Sequence, residues 1–162
     1  MLRLVDIKNW LVKLDTKTIA DINKMAVKDV NNLTVKQLFA KGYIVADHFY
    51  IGKLDNKKQK SIGVYQYPTT NMNIAVGGLD NTKIKEKTVS ILIHWNNNAD
   101  ETELKALELY YKFMNARNFN ITDNILVNYI ELLVPEPVDV GTDSSNIYER
   151  VIQAKFYYKE SE

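Results

Sequence analysis

Residues 88–114 read TVSILIHWNNNADETELKALELYYKFM, and two periodicities inside that stretch decide the fold. From Thr88 to Trp95 the period is two: Val89, Ile91, Ile93 and Trp95 share one face, and Thr88, Ser90, Leu92 and His94 share the other. Both faces are largely apolar, so the strand belongs inside a sheet and is covered on at least part of both sides. Asn96, Asn97 and Asn98 punctuate as a loop. Asp100 with Glu103 then predicts a capping box that opens a long helix over about 100–116. Glu101, Lys105, Glu108, Lys112 and Asn115 step by three or four and form one narrow polar stripe, with Glu-to-Lys pairs at i,i+4. Leu104, Ala106, Leu107, Leu109, Tyr110, Tyr111, Phe113 and Met114 make an apolar arc wider than one sheet face needs. A second cover is therefore expected, either another helix of the chain or a neighbouring subunit.

Toward the N-terminus the period is helical. Leu4, Ile7, Leu11 and Leu14, with Trp10 beside them, predict an amphipathic helix over about 2–14. Thr18 with Asp21 predicts a second helix carrying Ile19, Ile22, Met25, Ala26 and Val30 and stopped by Asn31 and Asn32. Thr34 with Gln37 is a better capping box, flanked by Leu33 and Leu38 as a staple, for a third helix over Val35 to Lys41 ended by Gly42. From Ile44 the period becomes two, and His48–Gly52 with Ser61–Tyr67 read as a hairpin around a lysine-bearing tip. Pro68 ends the second strand. Residues 69–87 form a long connection containing Gly77-Gly78 and at most a short strand near Ile74–Val76.

Beyond the long helix, Ile125–Val134 reads as an apolar strand stopped by Pro135 and Pro137. Asp139–Asn146 has turn chemistry. Ile147–Tyr158 alternates Tyr148, Ile152, Ala154, Phe156 and Tyr158 inward against Glu149, Gln153 and Lys155 outward. The expected fold is α+β: a mostly antiparallel sheet of about five strands, with the long helix and the N-terminal helices packed on one face. Residues 1–162 are expected to form a single domain, with a helical part over 1–43 and an α+β core over 44–160.

Composition narrows the chemistry. The chain has no cysteine, which removes disulfides and thiolate chemistry, and two histidines, His48 and His94. No apolar run approaches the ~18 residues of a membrane span, so the expected setting is the cytosol or a particle assembled there. Residues 1–60 hold 12 Lys+Arg against 6 Asp+Glu, and residues 61–162 hold 9 against 14. Arginine is scarce and no basic run interleaves with aromatics, which argues against sequence-specific nucleic-acid binding.

A His94 pair with Asp100, Glu101 or Glu103 would suit metal or acid-base work, but capping and i,i+4 pairing already account for those carboxylates. His48 and Asp47 are adjacent on a strand and point apart. Serines 61, 90, 144 and 145 lack a nucleophile setting. Lys53, Lys57, Lys58 and Lys60 read as an exposed tip, Gly77-Gly78 lacks a phosphate-loop pattern, and the oxygens of 139–146 fit no calcium loop. No catalytic, cofactor-binding or metal residues are expected.

A resemblance adds what the residues alone do not say. Phe49-Tyr50-Ile51-Gly52-Lys53-Leu54, followed by Lys60-Ser61-Ile62-Gly63-Val64-Tyr65, resembles a short "vGkLP…aIalY" signature of minor capsid proteins of long-tailed bacteriophages, with Asp55 where that family often has proline. The likeness runs on through the central strand and helix, the strand ending in Pro135 and the closing GTDSSNIYERVIQAKFYY, covering about 44–160. Such proteins are similar to tail-terminator and head-tail joining proteins. The resemblance implies a structural virion component of a phage or prophage, not an enzyme and without cofactors. It would form a homo-oligomeric ring, typically hexameric, at the head-proximal end of the tail. Implied partners are the tail-tube and head-tail connector proteins, with no membrane, and assembly takes place in the bacterial host cytoplasm. The N-terminal helices exceed the family's usual single helix. The alternatives are a small cytosolic enzyme or a monomeric binding module of α+β class.

Overall fold

The computed structural model describes residues 1–40, 48–52, 58–68, 74–78 and 82–161. In chain order its elements are α1 (Leu4–Leu14), α2 (Thr16–Asn23), α3 (Val27–Asn31), α4 (Val35–Ala40), β1 (Phe49–Ile51), β2 (Ser61–Gln66), β3 (Lys85–His94), α5 (Ala99–Asn115), β4 (Arg117–Thr122), β5 (Ile125–Leu132), β6 (Val138–Thr142) and β7 (Tyr148–Glu160). The class is α+β as expected. The sheet is larger and mixed, with strand order β1-β2-β3-β7-β5-β4 and β6 also paired to β7.

Strands β3 and β7 form its spine because their alternating residues match in register: Val89 lies opposite Ala154 and Ile91 opposite Ile152. On the other side of β3, Ile62 faces Ile93 and Val64 faces Ile91. These side chains make one fully buried apolar layer with Phe156 and Val127. On the reverse layer Thr88 and His94 are buried while Ser90 and Leu92 are half-buried, so β3 is partly covered on both faces.

Several expectations are corrected. β1 and β2 pair in parallel, Phe49 with Ile62 and Ile51 with Val64, so they are not a hairpin. Gly52, at φ 73°, turns the chain out of β1, and its N–H donates to the Val64 carbonyl. Ile74–Val76 is not a strand; the chain turns there, through Gly77 and Gly78. The region assigned wholly to turn chemistry contains strand β6, and only Asp143–Asn146 is the turn. Leu133–Pro137 interrupts the ladder as the prolines require, after which the chain rejoins the same edge of β7: Leu132 pairs with Ala154, then Val138 with Val151. Strand β4, with Phe119 and Ile121 alternating among polar residues, was not anticipated.

The helices need similar adjustment. The expected second helix is two. At Lys24 the chain enters the left-handed region, and Met25 N–H to Ala20 O with Lys24 N–H to Asp21 O closes α2 as a Schellman motif. The Thr34/Gln37 capping box is present in both directions, at 2.9 and 3.2 Å. At α5 the cap is Asn98 instead of Asp100: its side-chain oxygen accepts from the N–H groups of Asp100 and Glu101. Asp100 and Glu101 then sit in the first turn, where the helix dipole favours them. The expected third helix is present over Val35–Ala40; Lys41, Gly42 and Ile44 lie outside the described residues.

Both α1 and α5 lie against the apolar layer of the sheet, which curls so that α1 touches β1 and β2 at one end and β4 at the other. Trp10 is the contact that joins them. Its ring stacks on Phe119 at 4.9 Å and Phe113 at 5.4 Å and meets the edge of Phe156 at 5.7 Å.

A buried ion pair fixes how α5 is turned. Asp15, at the α1–α2 junction, is fully buried; its Oδ1 lies 2.5 Å from Lys105 Nζ, and its Oδ2 accepts from the Thr18 hydroxyl at 2.6 Å. Lys105 also sits 5.1 Å from the centre of the Trp95 ring. Two helical turns along, Lys112 donates to the Leu14 carbonyl and bridges to Glu108. Burial pushes the Asp15 carboxyl above the usual carboxylate range, and Lys105 only partly opposes this.

Because the folded state holds that proton more tightly than the unfolded chain, the stability linked to Asp15 is present at acid pH and is lost as pH rises through its folded pKa. Lys105→Met, which strands the carboxylate, should destabilise by about 3–5 kcal/mol in urea unfolding near neutral pH. The deficit should shrink as pH falls through the raised pKa of Asp15, where the buried carboxyl takes up its proton. Adding Asp15→Asn, which keeps an acceptor for Thr18, should recover most of the loss. Equal losses in the single and double variants would show that the pair does not act as a unit.

Candidate functional site

The ion pair has a consequence on the far side of α5. A charged stripe ordinarily faces water, but here Lys105 is 6% exposed and the stripe is turned into the seam with α1 and α2. Thr102, Ala106, Leu109 and Phe113 face the sheet. Beside the exposed polar residues at its two ends, the outer side of the helix presents Leu104, Leu107, Tyr111 and Met114, a run at spacings of three and four; Leu107 is half-buried, and Leu104, Tyr111 and Met114 are 59%, 56% and 40% exposed. The wide apolar arc is therefore only partly covered within the subunit. Spacings of three and four are those by which one helix presents a ridge to another protein surface.

The stripe runs into a recess. Tyr111 forms one wall of an open groove of about 500 Å³ whose other apolar walls are Trp10, Leu14, Ala116 and Phe119, with Lys112 and Arg117 at its rim. Ridge and groove are different shapes on one molecule. Charge is distributed around them: Lys13, Lys17, Lys24 and Lys28 on α1–α3 are exposed, as are Asp100, Glu101 and Glu103 at the start of α5 and Glu136 and Asp139 before and within β6. Arg150 lies between Glu103 and Asp139, at 3.7 and 3.8 Å.

The residues weighed for chemistry are placed as follows. The carboxylates weighed beside His94 do not face it: Asp100 and Glu101 give their backbone N–H groups to the cap, the Glu101 carboxylate accepts from the Asn96 side chain, and Glu103 lies beside Arg150. His94 instead faces Asp143, at 3.6 Å, and Glu149, at 3.4 Å. Glu149 is its cross-strand neighbour in β7, and Asp143 belongs to the turn that follows β6. His48 Nδ1 lies 3.0 Å from the Lys60 carbonyl, and Asp47 is outside the described residues. Ser61 is buried and donates to the Lys58 carbonyl; Ser144 and Ser145 are in the exposed turn. Of the four loop lysines, Lys53 and Lys57 lie outside the described residues. Among the described residues no helix is long and apolar enough to cross a membrane.

On the reverse face of the sheet, Tyr157 stacks on Tyr129 at 4.5 Å and donates to Glu131 at 2.7 Å. Burial and the Glu131 hydrogen bond raise its pKa well above the ordinary tyrosine value. This cluster ties β5 to β7.

The outer stripe of α5 could be seen in the sequence as excess apolar surface, but its direction could not. If it contributes nothing to the fold of the subunit, Leu104→Lys with Tyr111→Lys should leave stability within about 0.5 kcal/mol per site of the parent in chemical denaturation. A loss of several kcal/mol would place these side chains in the core.

The sequence matches the model of a family described as bacteriophage tail terminator protein over residues 14–160. The match takes in α2–α4 as well as the sheet and α5. No curated protein matches the chain.

Proposed function

The chain belongs to the bacteriophage tail terminator protein family, and on that premise we propose that it closes the head-proximal end of a long tail as a ring of identical subunits. The family makes it a structural component of the virion tail. The observation that carries the finer reading is the ridge of exposed Leu104, Tyr111 and Met114 with half-buried Leu107 between them, on the side of α5 away from the buried Asp15–Lys105 pair.

In a ring, each subunit meets its neighbours through two different surfaces, and rotation closes the set. The ridge of α5 with the groove that adjoins it at Tyr111 supplies one of these surfaces. The exposed lysines of α1–α3 and the acidic groups at the start of α5 and around β6 supply complementary charge for the same contact. The lysine-rich N-terminal third of one subunit lies against the acidic part of the next, and the sheet lines or approaches the lumen. Six copies is the expected number, with the tail-tube protein below and the head-tail connector above. Assembly takes place in the host cytoplasm, on a phage or prophage gene product.

Light scattering coupled to size exclusion, over a concentration and salt series and with purified tail tubes added, tests this. The expected result is a closed oligomer, alone or on tubes, that weakens above ~0.15 M salt as the Debye length falls below roughly 8 Å. The Leu104→Lys, Tyr111→Lys variant should remain folded and fail to assemble. The reading is wrong if no ring forms in either setting and a phage lacking the gene still makes tails of normal length joined to heads.

A further inference from the structure

At the end of β3 the imidazole of His94 is fully buried, and neither ring nitrogen has a hydrogen-bond partner among the described residues. Two carboxylates face it, Asp143 Oδ2 at 3.6 Å from Nε2 and Glu149 Oε1 at 3.4 Å from Nδ1. These distances are too long for hydrogen bonds.

We propose that His94, Asp143 and Glu149 bind one divalent transition-metal ion, of the Zn2+ class, between the end of the central strand and the turn after β6. One donor atom from each residue lies within 4.8 Å of the others. A single ion takes one nitrogen of the ring, and the longer, partly exposed Glu149 side chain adjusts to reach it, with water completing the shell. The Asp143 carboxylate is pre-aimed, because its Oδ1 accepts from the N–H groups of Ser145 and Ile147 at 2.8 and 3.0 Å and this leaves Oδ2 directed at the ring. Asp143 Oδ2 is itself buried and unsatisfied. Charge points the same way: two carboxylates face the ring, and among the described residues neither is paired with a lysine or arginine. A divalent ion neutralises the set. The imidazole nitrogen favours a transition metal over Mg2+ or Ca2+.

This departs from the expectation of no metal residues, in which His94 is paired only with the carboxylates near it in sequence and the oxygens of 139–146 are set apart as a turn. The bound ion would cross-link the β6–β7 turn, whose strand β6 is exposed along its whole length, to the centre of the sheet.

The test is calorimetric titration of chelator-stripped protein with Zn2+, with Co2+ absorption as a second readout. Asp143→Asn keeps the acceptor that Ser145 and Ile147 use, and Glu149→Gln alters a partly exposed side chain, so both variants should remain folded. The expected result is one Zn2+ per chain, a melting temperature that rises with Zn2+, and affinity at least about tenfold weaker in each variant. The proposal is overturned if the stripped protein takes up no Zn2+, or if uptake is undiminished in either variant.

Discussion

One lysine sets the orientation of the longest helix. Moving an ammonium group out of water costs several kcal/mol, and Lys105 is tolerated because Asp15, itself held by Thr18, and the face of Trp95 are all in place to receive it. Such a pair adds little net stability, but it discriminates between rotations of the helix. Turning α5 to expose Lys105 would bury Leu104 or Tyr111 against α1 while leaving Asp15 an unpaired buried charge. The pair therefore determines which face of the helix is lost inside the subunit and which is left for other molecules.

Elements whose pattern is local were legible in the sequence. The alternation of Val89, Ile91 and Ile93, the long helix after three asparagines, the Thr34/Gln37 capping box and the alternation in β7 all appear where the residues predict them. What escaped depends on partners far away in the chain. Alternation gives no strand direction, so β1 and β2 were read as a hairpin when they run in parallel. Strand β4 is short and rich in asparagine, and its Phe119–Ile121 alternation is too brief to stand out. Val138 and Val140 carry a similar signal in β6, masked by the turn residues and by the register shift near Gly141.

The same limit applied to the functional surfaces. Amphipathicity assumes that charge faces water, and nothing near Lys105 in sequence announces a buried acid at position 15. His94 was weighed against the carboxylates that follow it, whereas Asp143 and Glu149 reach it through the β6 return and the β3–β7 register. The family match over residues 14–160 agrees with the resemblance carried by residues 44–160, and within the subunit the N-terminal helices take up the middle of the polar stripe of α5, at Lys105 and Lys112.

The place of Trp10 has a consequence for the order in which this chain is completed. Its aromatic partners stand at positions 113, 119 and 156, in the second helix layer, a late strand and the last strand of all. A chain leaving the ribosome N-terminus first thus makes α1, with Ile7 and Leu11, well before the rings that receive Trp10. Those contacts close across more than a hundred residues, which slows folding. An interrupted chain presents an uncovered apolar helix of the kind that chaperones hold and that aggregates when they do not.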